Sequence, residues 1–185
     1  GIGQSYWTTT PVQLNTSVNT LINAGERYIP QIIRGYMNTD GSVDLIPLKS
    51  LRPIEIKNRK NLDVVLNAMR DVVSGEEGGA RHAFADTPYD SAGKTGTAQL
   101  FTVGQNEKYD ATKIDERLRD NAMYVGFAPF NGPEISVTVV LENVGGGSKN
   151  AAPVARQIMD FYFRDRVFEP VVADTANSDN ELGTN

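Results

Sequence analysis

The residues best suited to chemistry lie in one run, Ser91-Ala92-Gly93-Lys94-Thr95-Gly96-Thr97-Ala98-Gln99. In a strand, side chains alternate, so Thr95 and Thr97 share a face and Lys94 points to the other. Two hydroxyls on one face can hold a carboxylate. Gly96 has no side chain to keep a substrate backbone away. Lys94 adds a positive charge that attracts a carboxylate and can polarise a neighbouring hydroxyl. Its long stem, or a local twist, must bring it round if it joins the threonines.

Other chemistries find less support. The chain has no cysteine, which excludes thiol catalysis, disulfides and thiolate metal sites. The single His82 cannot make a metal cluster alone and reads as a loop or surface residue; a Ser-His-Asp triad would have to be built on it. No metal and no cofactor is expected. The net charge of −5 argues against a nucleic-acid partner. Gly93-Lys94-Thr95 looks like the end of a phosphate-binding loop, but that motif needs a glycine where Pro88 stands and a helix after the lysine. Nucleotide binding is therefore a weak alternative. Glu76-Glu77 suits a solvated loop, and so do the charges from Glu107 to Asp120. Gly145 to Gly147 suits a turn, and Trp7, Phe161 and Tyr162 suit a core.

Helices and a sheet must position the run. Thr10-Pro11-Val12-Gln13 predicts a helix start with a capping box and proline at the first helical position, and Gly25 a stop. Asn61 caps a second predicted helix, with Leu62, Val65, Leu66, Met69 and Val73 at helical spacing and Gly75 at its end. Tyr28 to Asp44 reads as a hairpin turning at Asp40-Gly41, and Leu45 to Arg59 as an irregular connection. Three strands are predicted, at Asp90 to Phe101, Ala122 to Ala128 and Ile135 to Leu141. Asn131-Gly132 turns the second into the third, so that pair is antiparallel. A polar connection from Gly104 to Asn121 holds a short helix near Ile114 and Leu118. A last helix runs from about Ala151 to Arg164, with Val154, Ile158, Phe161 and Tyr162 as its apolar face. The order implies an α+β fold, an antiparallel sheet with packed helices. Residues 1–170 form one unit and residues 171–185 a flexible polar tail. No stretch approaches the roughly 20 apolar residues of a membrane-spanning helix, and Gly1-Ile2-Gly3-Gln4 does not open a signal peptide.

Alone, Lys94 to Thr97 would also suit an ordinary strand with an exposed lysine. Its surroundings decide. Lys94-Thr95-Gly96-Thr97 resembles the Lys-Thr-Gly motif of penicillin-binding proteins and serine β-lactamases. Gly3 to Thr8 running into Thr10 to Leu14, Ala92 to Gln99, Tyr124 to Pro129, and Gly145 to Pro153 are all similar to class B penicillin-binding proteins, most of all their penicillin-binding protein 2 branch. The likeness covers roughly residues 1–164. It implies part of a penicillin-binding transpeptidase (serine β-lactamase-like) fold, and acyl transfer that cross-links peptidoglycan and is blocked by β-lactams. It also implies roles. Lys94 would order the catalytic hydrogen bonds, while Thr95, Gly96 and Thr97 would bind the carboxylate-bearing substrate. The Thr97 backbone N–H would serve as an oxyanion donor.

The resemblance implies partners as well: the peptidoglycan stem peptide, β-lactams, and the peptidoglycan polymerase and elongation machinery at the periplasmic face of the inner membrane. The family also needs Ser-x-x-Lys and Ser-x-Asn motifs before Lys-Thr-Gly. Ser91-x-x-Lys94 has the first spacing, but that motif works on a helix, where i and i+3 share a side. Ser17-Val18-Asn19 falls in a predicted helix and Ser178-Asp179-Asn180 in the tail. The expectation is that nucleophile and base lie upstream of Gly1, which leaves this chain inactive alone. A non-catalytic module binding D-Ala-D-Ala peptides is the other reading.

Overall fold

A computed structural model describes residues 8–100 and 114–168. Trp7, Phe101, Glu107 and the tail with Ser178-Asp179-Asn180 lie outside the described residues. Helix α1 (Pro11–Ile22) starts as the sequence predicts: the Gln13 N–H donates to the Thr10 hydroxyl, and the Thr10 N–H to the Gln13 side chain. It ends in left-handed residues, Ala24 at φ 53° and Gly25 at φ 100°. Helix α2 (Arg59–Ser74) begins a turn earlier than predicted. Its cap is Asn58, whose side chain accepts from the Lys60 N–H, and Asn61 sits inside the first turn.

The predicted Tyr28 to Asp44 hairpin is two separate ribbons. Strand β2 (Gly35–Met37) pairs with β3 (Val43–Leu45) around the Asp40-Gly41 turn. Strand β1 (Arg27–Tyr28) instead pairs with β4 (Ser50–Leu51), inside the stretch read as irregular. Pro30 follows β1; it has no N–H to continue a ladder, which separates the two ribbons. The ribbon lobe leaves Ile32, Ile33, Tyr36, Met37, Val43, Leu45 and Leu48 exposed. An apolar surface of this kind drives association. The chain alone is therefore expected to dimerise or aggregate; a single sharp monomer peak in size-exclusion chromatography with a cooperative melt would refute this.

The three predicted strands form one antiparallel sheet, β5 (Ala92–Ala98), β6 (Asn121–Ala128) and β7 (Ile135–Leu141), in the order β5-β6-β7. A short 3-10 turn at Glu116–Leu118 precedes β6. One face of the sheet packs Ala92, Val125 and Phe127 against Val18 of α1 and Leu66 and Met69 of α2. The other packs Ala122, Tyr124, Val137 and Val139 against helix α3 (Gly147–Phe163). The result is an α+β sandwich of helix, sheet and helix layers.

Helix α3 corrects two expectations. It starts at Gly147, so the triple glycine divides its work: Gly145 makes the turn at φ 91°, Gly146 caps and Gly147 is helical. Its buried stripe is Ala151, Ala152, Ala155, Met159 and Phe163. The predicted face is largely the outer one: Ile158 and Tyr162 are exposed and Phe161 is 68% exposed, so Phe161 and Tyr162 are not core. Arg164 lies over the Phe161 ring at 4.2 Å. Alanines at i, i+1 and i+4 let the helix axis approach the sheet, which large side chains would prevent.

Candidate functional site

Strand β5 carries the Lys94–Thr97 run, and β6 is its single ladder partner among the described residues, so the run lies on a sheet edge. The register sets its faces. Lys94 stands opposite Val125, on the α1/α2 side. Thr95 and Thr97 stand opposite Tyr124 and Ala122, on the α3 side. The strict alternation expected of a strand therefore holds. The lysine stem resolves the conflict: Lys94 is exposed, and its Nζ donates to the Thr95 carbonyl at 2.8 Å. In a strand the N–H and C=O of residues i and i+2 point to one edge. The ammonium group thus sits at the strand edge shared by the Thr95 carbonyl and the Thr97 N–H.

Behind the threonines stand Gly147, part of the glycine run expected to be a turn, and Gly79, which the sequence alone did not single out. The Gly147 N–H, at the start of α3, donates to Thr97 Oγ1 at 3.3 Å. Gly147 packs directly on the ladder; a Cβ there would stand 2.2 Å from the Gly96 carbonyl oxygen. A Cβ on Gly79 would come 3.2 Å from Ser148 Oγ and 3.5 Å from Thr95 Oγ1, so the 78–79 loop closes beside Thr95. The two glycine clusters were the available signal, since close backbone approach is what glycine permits. Gly93, just before the lysine, has the same logic: a Cβ there would lie 2.2 Å from the Tyr124 hydroxyl oxygen. It makes room for a phenol that is 0% exposed and stacks on Phe84.

The remaining candidates fall apart from this site. Ser91 is 1% exposed, precedes a strand, and its Oγ has no hydrogen-bond partner. At i, i+3 on extended backbone it faces away from Lys94, and burial closes it to a substrate. Ser17-Val18-Asn19 lies within α1, with the Ser17 hydroxyl donating to the Leu14 carbonyl. His82, Glu76 and Glu77 are exposed in a loop. The strand continues from Lys94 through Ala98 with no helix, so the geometry of a phosphate loop is absent there. A groove of about 640 Å³ lies at the far edge of the sheet, between α1, the β1 segment and β7, and not at the lysine. No helix among the described residues is long and apolar enough to cross a membrane.

Comparison with known proteins matches this arrangement to one family. The penicillin binding protein transpeptidase domain matches residues 1–160. The chain is 41% identical over 170 residues to peptidoglycan D,D-transpeptidase MrdA of Haemophilus influenzae, covering 90% of this chain and 26% of that protein. It is 37% identical over 162 residues to MrdA of Escherichia coli K12, covering 86% and 25%. The chain thus spans about a quarter of the length of the curated relatives it matches. Among solved structures, Pseudomonas aeruginosa PBP2 in complex with WCK 5153 superposes with a TM-score of 0.70 at 35% identity, over 94% of this chain and 35% of that one. Helicobacter pylori PBP2, solved in complex with MreC, superposes with a TM-score of 0.65 at 23% identity, over 89% and 26%, a likeness of fold. The chain belongs to the transpeptidase domain family of penicillin-binding proteins, in its penicillin-binding protein 2 (MrdA) branch.

Proposed function

We propose that this chain supplies one wall of a D,D-transpeptidase site, in a protein that cross-links peptidoglycan at the periplasmic face of the inner membrane. The observation that carries the reading is the Lys94–Thr97 run at the edge of the described sheet, with Lys94 curled to that edge and α3 behind the threonines. An extended stem peptide can lie along such an edge, as peptides do when they add to a sheet. Its terminal carboxylate meets Thr95, Thr97 and the Lys94 charge. A serine from outside this chain attacks the penultimate D-alanine carbonyl, and the oxygen that becomes negative is held by the Thr97 N–H. A donor of this kind is worth about 10²–10³ in rate, because it meets charge that exists only in the transition state. A β-lactam presents the same carboxylate and a strained amide to the same groups. The parent's partners are the peptidoglycan polymerase and the elongation machinery; the MreC complex of the Helicobacter pylori relative points the same way.

Ser91, the serine with the Ser-x-x-Lys spacing, is buried, which supports a nucleophile from outside this chain. The test is the intact mass of the 185-residue chain after incubation with excess benzylpenicillin. We expect no change. A gain of one drug molecule would put the nucleophile inside this chain and end the one-wall reading. The full-length protein is expected to gain that mass, and its failure to do so would end the transpeptidase reading.

A further inference from the structure

Among the described residues strand β5 has one ladder partner, β6, and the helices packed on it help to set its position. Helix α3 grips it at two places. At its start, Gly147 seats on Gly96 and donates to Thr97. Some 13 residues later, about 20 Å along the helix at 1.5 Å per residue, Asp160 accepts a hydrogen bond from the Tyr89 hydroxyl at 2.7 Å. Arg156, one turn before, pairs with Asp160 at 3.0 Å. Its Nη1 also donates to the carbonyls of Ala85 at 2.6 Å and Ala83 at 3.3 Å. Residues 83–89 are the loop that feeds β5. One guanidinium and one carboxylate therefore tie the loop to the helix that holds the far end of the same strand.

The loop needs the tie. It carries Asp86 in the left-handed region at φ 59°, a conformation that persists only when its surroundings impose it. Charge-assisted bonds to two carbonyls supply that constraint. Tyr89 is 3% exposed, with its ring 5.0 Å from Phe163, so the phenol cannot swing to another partner without leaving the core. We infer that Tyr89, Asp160 and Arg156 are positioning residues for the Lys94–Thr97 run, acting through the loop at residues 83–89 and the α3 strut. The inference rests on the transpeptidase reading above. None of the three touches the run itself.

The test uses the full-length protein carrying this chain and follows its acylation by benzylpenicillin, separating the titratable fraction from the acylation rate constant. Asp160→Ala and Tyr89→Phe each remove the Tyr89–Asp160 bond and leave Arg156 on the loop carbonyls. Misplacement by 1 Å can cost about 10²-fold in rate, so partial release is expected to slow acylation about tenfold with the titratable fraction unchanged. Asp160→Asn keeps an acceptor for the Tyr89 hydroxyl and is expected to recover most of the rate. A purely structural role predicts the reverse, a smaller titratable fraction whose remaining molecules react at the wild-type rate, and that result overturns the inference. Amide hydrogen exchange on the same variants is the second readout. Exchange at Gly96 should speed up while that of the β6–β7 centre stays fixed; uniform or absent change also overturns it. If the wild type takes up no drug, the transpeptidase reading fails, and the exchange data decide the positioning claim alone.

Discussion

Gly147→Ala is expected to destabilise the protein by more than about 3 kcal/mol and to lower its melting temperature by about 6–12 °C. The added Cβ would stand 2.2 Å from the Gly96 oxygen, 2.4 Å from the Met123 oxygen and 2.9 Å from the Gly96 nitrogen. All three are backbone atoms of the β5–β6 ladder, so no rotamer change can relieve the contact. Either α3 lifts from the sheet or the ladder bends at the Lys94–Thr97 run. Alanine is a better helix former than glycine by about 1 kcal/mol, which acts in the opposite direction and is too small to win. Gly146→Ala is the control. A Cβ there meets nothing within 4 Å, and a change at this cap is expected to cost within about 1 kcal/mol. Thermal melts of the two variants beside the wild type decide the matter: equal losses would mean that the contact is not what requires glycine.

That pair of neighbouring glycines also shows where sequence reading stopped. The start of α1 was legible because Thr10, Pro11 and Gln13 act within a few residues of one another. The sheet was legible for the same kind of reason: Asn131-Gly132 turns β6 into β7, and apolar alternation sets their faces. The Lys94–Thr97 run and its alternation needed nothing beyond a strand period of two. What was not legible depended on partners distant in the chain. Which stripe of α3 is buried follows from how closely the sheet approaches; the small alanines won over Ile158, Phe161 and Tyr162. The Asn58 cap differs from the predicted Asn61 by one turn, because both residue types cap well and only the backbone entry angle selects between them. The tie from Arg156 and Asp160 to residues 83–89 spans about 70 positions, and no local pattern announces it.

The buried phenols give the other large effect, which appears in alkali. Burial raises the pKa of Tyr124 above its ordinary 10.0, because the charged phenolate would lose its hydration there. Burial also raises that of Tyr89, helped by its hydrogen bond to Asp160 and that residue's charge, with Arg156 acting against it. Both groups therefore stay neutral in the fold at pH values where the unfolded chain ionises them. Their contribution is complete below about pH 10 and is lost as pH rises from there through the folded values. Each unshared proton costs about 1.36 kcal/mol per pH unit, so the two together remove about 2.7 kcal/mol per unit above pH 10. Over a pH unit or two that is several kcal/mol, a large part of the stability of an ordinary domain. We expect a cooperative loss of far-UV ellipticity between about pH 11 and 12, accompanied by the last of the tyrosinate absorbance at 295 nm from the seven tyrosines. Tyr124→Phe should halve the alkaline slope. It should cost little at pH 7, because it removes a hydroxyl that has no partner to lose. If all tyrosinate absorbance is complete before the ellipticity changes, neither phenol is protected by the fold, and the packing of Tyr124 over Gly93 beside Lys94 is wrong.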